Sequence, residues 1–175
     1  MTDAELAQQL KAIALLEGDF TLRSGRKSRY YLDKYLFETQ PRLLRELGKR
    51  FARFVTPEID RIAGAELGAI ALAAATALES DRPFVIVRNA KKAGYGTGKL
   101  IEGRLERGER VLLVEDVATS GGQVVEAYNT LRNAGADVKA VVVTIDRQEG
   151  AREAITAAGL RFEALFTTAD LGIAK

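Results

Sequence analysis

The stretch Val111-Leu112-Leu113-Val114-Glu115-Asp116-Val117-Ala118-Thr119-Ser120-Gly121-Gly122 decides how the chain is read. Residues 111–114 form an apolar run with charge on both sides, the pattern of a strand buried on both faces of a parallel sheet. A small-residue turn, 119–122, separates it from the helical pattern of residues 124–131. The turn therefore sits at the carboxyl end of a central strand and the amino end of a helix, where open α/β sheets bind ligands. Backbone N–H groups, two hydroxyls and a helix N-terminus converge there on one anion, and Gly121 and Gly122 let the backbone approach closely. Glu115 and Asp116 would repel a phosphate, so they should face neutral hydroxyls or a metal. A sugar phosphate fits: its diol on the acids, its phosphate in the loop.

Composition narrows the classes. The chain of 175 residues is most simply one domain with a substantial core. Its 26 Lys and Arg against 24 Asp and Glu give a formal net charge of +2, too small to argue for nucleic acid. With no cysteine there is no disulfide, thiol catalysis or cysteine metal site. With no histidine the usual general base and zinc ligand are missing, so proton transfer or metal binding falls to carboxylates, lysines or solvent. Residues 2–9 are polar and amphipathic, unlike a secretory signal, and the apolar stretch 67–78 is too short to span a bilayer. A cytoplasmic protein that binds neither nucleic acid nor membrane is expected.

Along the chain, Thr2 with Glu5 makes a capping box for a first helix running to about Leu16. Residues 20–33 read as a β-hairpin turning at Ser24-Gly25, with cations around the turn and Tyr30 and Tyr31 on the returning strand. A second helix starts near Pro41. From Ile59 the rhythm becomes strand, loop, helix: strands at 59–63, 84–87, 111–114, 138–145 and 162–166, helices at 69–79, 123–133 and 151–158. This alternation predicts a central parallel sheet flanked by helices, with right-handed crossovers. The hairpin precedes the rhythm and forms a small N-terminal hood. Residues 1–35 with the C-terminal segment make the hood and residues 40–160 the core.

Three further stretches are site candidates, each weighed against a plainer reading. Residues 64–68, with two glycines four apart, suit a pyrophosphate or are only a βα turn; beside the acidic motif the first reading gains. Residues 88–99 (Arg88-Asn89-Ala90-Lys91-Lys92-Ala93-Gly94-Tyr95-Gly96-Thr97-Gly98-Lys99) are long, basic and glycine-rich. They suit a lid closing over a leaving pyrophosphate better than an idle solvated loop. The hairpin's Arg23, Arg26 and Lys27 with its tyrosines suit a flat anionic ring, although Tyr30 serves almost equally well as packing. Arg147, at the end of a buried strand beside Asp146, is better placed for a site than a lone surface arginine.

The motif Glu115-Asp116-Val117-Ala118-Thr119-Ser120-Gly121-Gly122 resembles the signature of type I phosphoribosyltransferases, which bind 5-phosphoribosyl-1-pyrophosphate (PRPP). Its length and mixed chemistry make it far more specific than a lone glycine-rich loop. Residues 20–31, 96–103 and 146–149 are similar, respectively, to the substrate hairpin, catalytic-loop end and late-strand motif of the orotate branch, so the resemblance spans about 18–172. It implies the type I phosphoribosyltransferase fold, synthesis of orotidine 5′-monophosphate and pyrophosphate from orotate and PRPP in pyrimidine biosynthesis, Mg2+, and a homodimer whose loop 88–99 enters the partner's active site. It also implies roles. Lys92, Glu115 and Asp116 are catalytic. Arg88, Lys91, Lys92, Tyr95, Glu66, Leu67, Glu115, Asp116, Ala118, Thr119, Ser120, Gly121, Gly122 and Gln123 bind PRPP. Arg23, Tyr31, Thr119 and Arg147 bind orotate, and Mg2+ is held mainly through PRPP and water.

Some positions depart from the family pattern. Asn89 stands where a lysine commonly follows the loop arginine, and the loop is one residue longer than usual, so Lys91 competes with Lys92. Arg23 replaces a common lysine, Tyr95 a frequent histidine and Arg29 a frequent proline. Two rival readings follow: a phosphoribosyltransferase for another base such as a purine, and a non-catalytic PRPP- or nucleotide-sensing regulator, which Asn89 keeps open.

Overall fold

A computed structural model describes residues 1–21, 25, 27–89 and 99–173. The elements run α1 (Asp3–Ala14), β1 (Leu15–Thr21), β2 (Lys27–Leu32), α2 (Tyr35–Glu38), α3 (Pro41–Ala52), β3 (Arg61–Ala65), α4 (Ala69–Ser80), β4 (Phe84–Val87), β5 (Ile101–Glu102), β6 (Arg110–Ala118), α5 (Gly122–Asn133), β7 (Asp137–Asp146), α6 (Ala151–Ala157) and β8 (Arg161–Thr167). The capping box predicted for α1 is present, with Thr2 Oγ1 accepting from the Glu5 N–H and Glu5 accepting from the Thr2 N–H.

Six strands form one sheet in the order β5-β4-β3-β6-β7-β8, parallel except for β5, which pairs antiparallel with β4. Alternate residues of β6 feed two cores. Leu112 and Val114 pack with Leu6, Leu47, Phe51 and Leu72, on the side of α1, α3 and α4. Val111 and Leu113 pack with Val124, Leu131 and Ile155, on the side of α5 and α6. The strand is buried on both faces, as its unbroken apolar run predicts. Gly64 on β3 admits α4 at close range, because a Cβ there would lie 2.4 Å from the Ala69 carbonyl oxygen.

The sheet's direction of growth reverses between β3 and β6: from β3 the chain moves outward to β4, then returns to lay β6 on the other side of β3 and continues to β7 and β8. The turns after β3 and β6 diverge at that point and leave a crevice, the usual ligand position in an open α/β sheet.

Several boundaries differ from expectation. The hairpin begins at Leu15 rather than Phe20, because Leu15 pairs with Leu32 and Leu16 with Tyr31, and it carries a bulge between Glu17 and Phe20. β6 does not stop before the acids. It continues through Glu115 and Asp116 to Ala118, since β7 still pairs with it after β3 has ended. Neither β5 nor α2 has a local sequence signal.

Candidate active site

The acidic pair lies near the carboxyl end of β6. Asp116 faces α2 and α4, where it meets Lys34 and the backbone of Gly68. Glu115 and Asp116 are 3 % and 1 % exposed, so the charge of each must be neutralised or answered. Asp116 is answered. Its Oδ2 lies 2.7 Å from the Lys34 Nζ, and its Oδ1 accepts from the Val117 N–H. Glu115 Oε1 accepts from the Asp116 N–H at 2.9 Å, whereas Oε2 has no hydrogen-bond partner among the described residues. Burial, reinforced by the charge of Asp116, raises Glu115 well above the ordinary carboxylate range. Burial pulls Lys34 down, but Asp116 and Glu115 outweigh it and leave the ammonium above its usual value. The Lys34 ammonium thus sits against the Asp116 side of the pair.

The turn after β6 is built for close approach. Gly121 adopts φ +80°, and a Cβ there would meet the Ala151 carbonyl oxygen at 3.1 Å. Helix α5 starts at Gly122, so the turn lies at its positive end. Across the crevice, residues 66–68 form the turn after β3, with a cis peptide between Glu66 and Leu67 and the Leu67 side chain turned to solvent. Gly68 packs its backbone on the Asp116 carboxylate: a Cβ there would sit within 1.9 Å of Oδ2. The two turns are tied directly, Gln123 Nε2 donating to the Glu66 carbonyl oxygen at 3.2 Å.

Arg88 leaves the end of β4 and lies 3.9 Å from Glu66 Oε2 and 4.0 Å from Glu102 Oε1. Asn89 has a specific task. Its N–H donates to Glu66 Oε1 at 2.7 Å and its Nδ2 to the Glu66 carbonyl oxygen at 3.0 Å. At the other flank, Arg147 follows β7, donates its N–H to the Ala118 carbonyl oxygen at 2.9 Å, and is 6 % exposed. Its Nε pairs with Glu149 at 2.9 Å, and its guanidinium lies 4.9 Å from the centre of the Tyr30 ring. Tyr31 instead packs against Phe20 at 5.7 Å and stays partly open. The aromatic partner of Arg147 is thus Tyr30, for which the sequence leaves ring contact and packing almost equally open.

The fold brings Glu66, Leu67, Arg88, Glu115, Asp116, Ala118, the 119–122 turn, Gln123 and Arg147 to the carboxyl edge of one sheet. Arg23, Lys91, Lys92 and Tyr95 lie outside the described residues. Lys34 and Glu38 were not foreseen; they stand four apart, one helical turn, but between a hairpin and Pro41 no periodicity marks them. A recess of about 540 Å³ beneath the hairpin, lined by Lys11, Glu17, Asp19, Arg29, Tyr30 and Ile173 among others, does not include the acidic pair or either turn. The charged and glycine-rich groups converge at the switch point, where the 119–122 turn, the buried acidic pair and two flanking arginines meet.

Known proteins are similar to this chain over nearly its whole length. Residues 38–158 match the phosphoribosyl transferase domain family. The chain is 46 % identical to the orotate phosphoribosyltransferase of Methanocella arvoryzae over 97 % of both chains, and 46 % identical to that of Natronomonas pharaonis over 98 % of both. It superposes on the Mycobacterium tuberculosis orotate phosphoribosyltransferase solved in complex with PRPP with a TM-score of 0.80, at 34 % identity, covering 97 % of this chain and 98 % of that one. By sequence and by fold, the chain belongs to the orotate branch of the phosphoribosyltransferase family.

Proposed function

We propose that this chain transfers the 5-phosphoribosyl group of PRPP to orotate, releasing pyrophosphate and forming orotidine 5′-monophosphate for pyrimidine synthesis. The observation that carries the reading is the placement of Glu115 and Asp116 between the turns 66–68 and 119–122, with Arg88 on one flank and Arg147 on the other. A phosphate in the 119–122 turn puts the ribose hydroxyls against the acidic pair and the pyrophosphate against Glu66–Leu67 and Arg88. Thr119 closes the ribose toward the base, and Ala118, Ser120 and Gln123 complete the wall. Orotate's carboxylate and ring carbonyls face Arg147, with Arg23 and Tyr31 of the hairpin as the hood above it.

In the reaction a ring nitrogen of orotate, reacting as its anion, forms a bond to the anomeric carbon while the bond to the pyrophosphate oxygen breaks. No strong protein base is needed, which suits a chain without histidine. Positive charge develops on the ribose ring and negative charge on the leaving group, so the protein's task is positioning and electrostatic stabilisation. Lys92 (or its neighbour Lys91) and Tyr95 of the basic loop meet the pyrophosphate. Mg2+ would reach this site with PRPP and water rather than in a cage of protein ligands, because Lys34 already occupies Asp116 and leaves the acidic pair too little charge for one. When bound, the ion neutralises charge building on the leaving group.

We further infer a single catalytic domain that works as a homodimer, with loop 88–99 supplied to the partner's site. We place it in the cytoplasm by its kinship with orotate phosphoribosyltransferases, and no described helix is long and apolar enough to cross a membrane. Asn89, which keeps the sensing reading open, here holds the Glu66 turn, a positioning task compatible with catalysis.

A steady-state assay with PRPP, Mg2+ and orotate, following loss of orotate absorbance, tests the reading, with adenine, hypoxanthine, xanthine and uracil in parallel. Consumption of orotate alone is expected. Consumption of another base in its place, or PRPP binding with no base consumed, would overturn it.

A further inference from the structure

Behind the acidic pair lies a second layer of charge that the proposed reaction does not use. Lys34 precedes α2 and Glu38 ends it, one turn apart on the segment that joins the hairpin to the body. Glu38 is 3 % exposed, and its Oε1 has no hydrogen-bond partner among the described residues. Glu38 and Asp116 converge on the same backbone atom. A Cβ on Gly68 would lie 1.9 Å from Asp116 Oδ2 and 3.1 Å from Glu38 Oε1. Two carboxylates and one ammonium thus share the space at the amino end of α4.

We propose that Lys34 and Glu38 are positioning residues for PRPP that set the aim of Asp116. The inference rests on the reading of Glu115 and Asp116 as the ribose-binding pair. Lys34 pins Asp116 Oδ2 at 2.7 Å while the Val117 N–H holds Oδ1, so the carboxylate is fixed at both oxygens and retains lone pairs for a sugar hydroxyl. Glu38 must be neutral for this to hold, because one ammonium cannot answer two buried carboxylates. Burial, then the charge of Asp116, pushes Glu38 up to about 8. The charged groups acting on it are Asp116 from β6, and Lys34 and Asp33 from the turn into α2, with Glu115 next to Asp116. Below that value Glu38 adds no charge beside Asp116, and the Lys34 ammonium answers Asp116 alone. Above it, Glu38 ionises beside Asp116, competes for Lys34 and repels PRPP.

Without Lys34, Asp116 faces Glu38 with no cation beside it, and its Oδ2 loses the contact that fixes it as an acceptor. The test is steady-state kinetics of the full-length protein at about pH 7 and about pH 9 for the unaltered chain, Lys34→Met, Lys34→Arg and Glu38→Gln. Lys34→Met is expected to raise KM for PRPP about tenfold, with kcat within about threefold and KM for orotate unmoved; Lys34→Arg recovers most of the loss. In the unaltered chain KM for PRPP climbs several-fold between the two pH values, and Glu38→Gln removes the climb that Glu38 supplies. A KM for PRPP in Lys34→Met within about twofold of the unaltered value overturns the inference. So does an identical climb in Glu38→Gln, the near-isosteric change that decides if Lys34→Met does not fold. Failure of the unaltered chain to consume PRPP removes the ribose-binding reading and this inference with it. That outcome is distinct, because it appears before any substitution is made.

Discussion

Glu38 carries the sharpest single-residue consequence, because a buried carboxylate without its own cation ties folding to pH. Its ordinary value is 4.5, and in the folded chain it rises to about 8, chiefly by burial and then by Asp116. Between those values the folded state holds a proton that the unfolded state has released. Stability contributed by this group is therefore greatest below 4.5, falls as pH rises toward 8, and is flat beyond. At about 1.4 kcal/mol per unit, a loss of a few kcal/mol is the upper range. Glu38→Gln cannot ionise, so the variant should gain about 1–3 kcal/mol on the unaltered chain between about pH 5 and about pH 8.5. Urea midpoints at the two pH values check this, and parallel curves would refute the buried-acid account. Glu115, also raised by burial, contributes a similar slope to both proteins and cancels in the comparison. Gly68 is the companion case. A methyl group there would lie 1.9 Å from Asp116 Oδ2, so Gly68→Ala must move the carboxylate off Lys34 or push α4 back. A cost of about 1–3 kcal/mol in thermal or urea unfolding is expected, with KM for PRPP raised alongside it.

At the scale of elements, legibility followed the source of each signal. The α/β rhythm could be read because strands buried on both faces need long apolar runs, as residues 111–114 and 138–145 show. The end of β6 could not be read, because it is set by the partner strand: Glu115, Val117 and Ala118 pair with Val143, Ile145 and Asp146 of β7, and acidic side chains on a strand look locally like its end. β5 is two residues defined by β4 alone, and β1 was read partly as helix because Leu16 continues the spacing of Leu6, Leu10 and Ile13. The site divides in the same way. Its contiguous part, the acids and the turn after them, was visible as a motif, whereas Lys34, Glu38 and the pairing of Tyr30 with Arg147 exist only once the hairpin folds back over the sheet. Asn89 shows the difference most clearly. In sequence it is a missing cation; in the fold it joins the end of β4 to the turn after β3. Asn89→Ala deletes one hydrogen bond to the Glu66 carbonyl oxygen and leaves the one from its own N–H. Stability should change by no more than about 1 kcal/mol, while KM for PRPP rises several-fold as the pyrophosphate turn loosens. A melting point and a KM that both stay put would return Asn89 to the role of a passive replacement.

For the whole molecule, the question is whether one chain holds a complete site. The described body presents the acidic pair, the two turns, Arg88 and Arg147 at a single sheet edge. The proposed reaction also needs cations over the leaving pyrophosphate, and those are assigned to Lys91 and Lys92 of the loop that follows β4. If each loop serves the partner, no subunit is a functional unit, and the symmetry of a homodimer makes this testable. Lys92→Ala disables the loop and Glu115→Gln disables the body, so each homodimer is expected to lose orders of magnitude in turnover. Co-expression of the two variants gives hybrids in which one site pairs both defects and the other pairs an intact loop with an intact body. With random pairing, half the dimers are hybrids, and about a quarter of all sites recover full activity. Loops that serve their own subunit give no recovery at all, because every site in the mixture then keeps one of the two defects. Turnover of differently tagged hybrids, purified through both tags, separates the two arrangements: about half the unaltered activity per dimer if loops are exchanged, background if they are not.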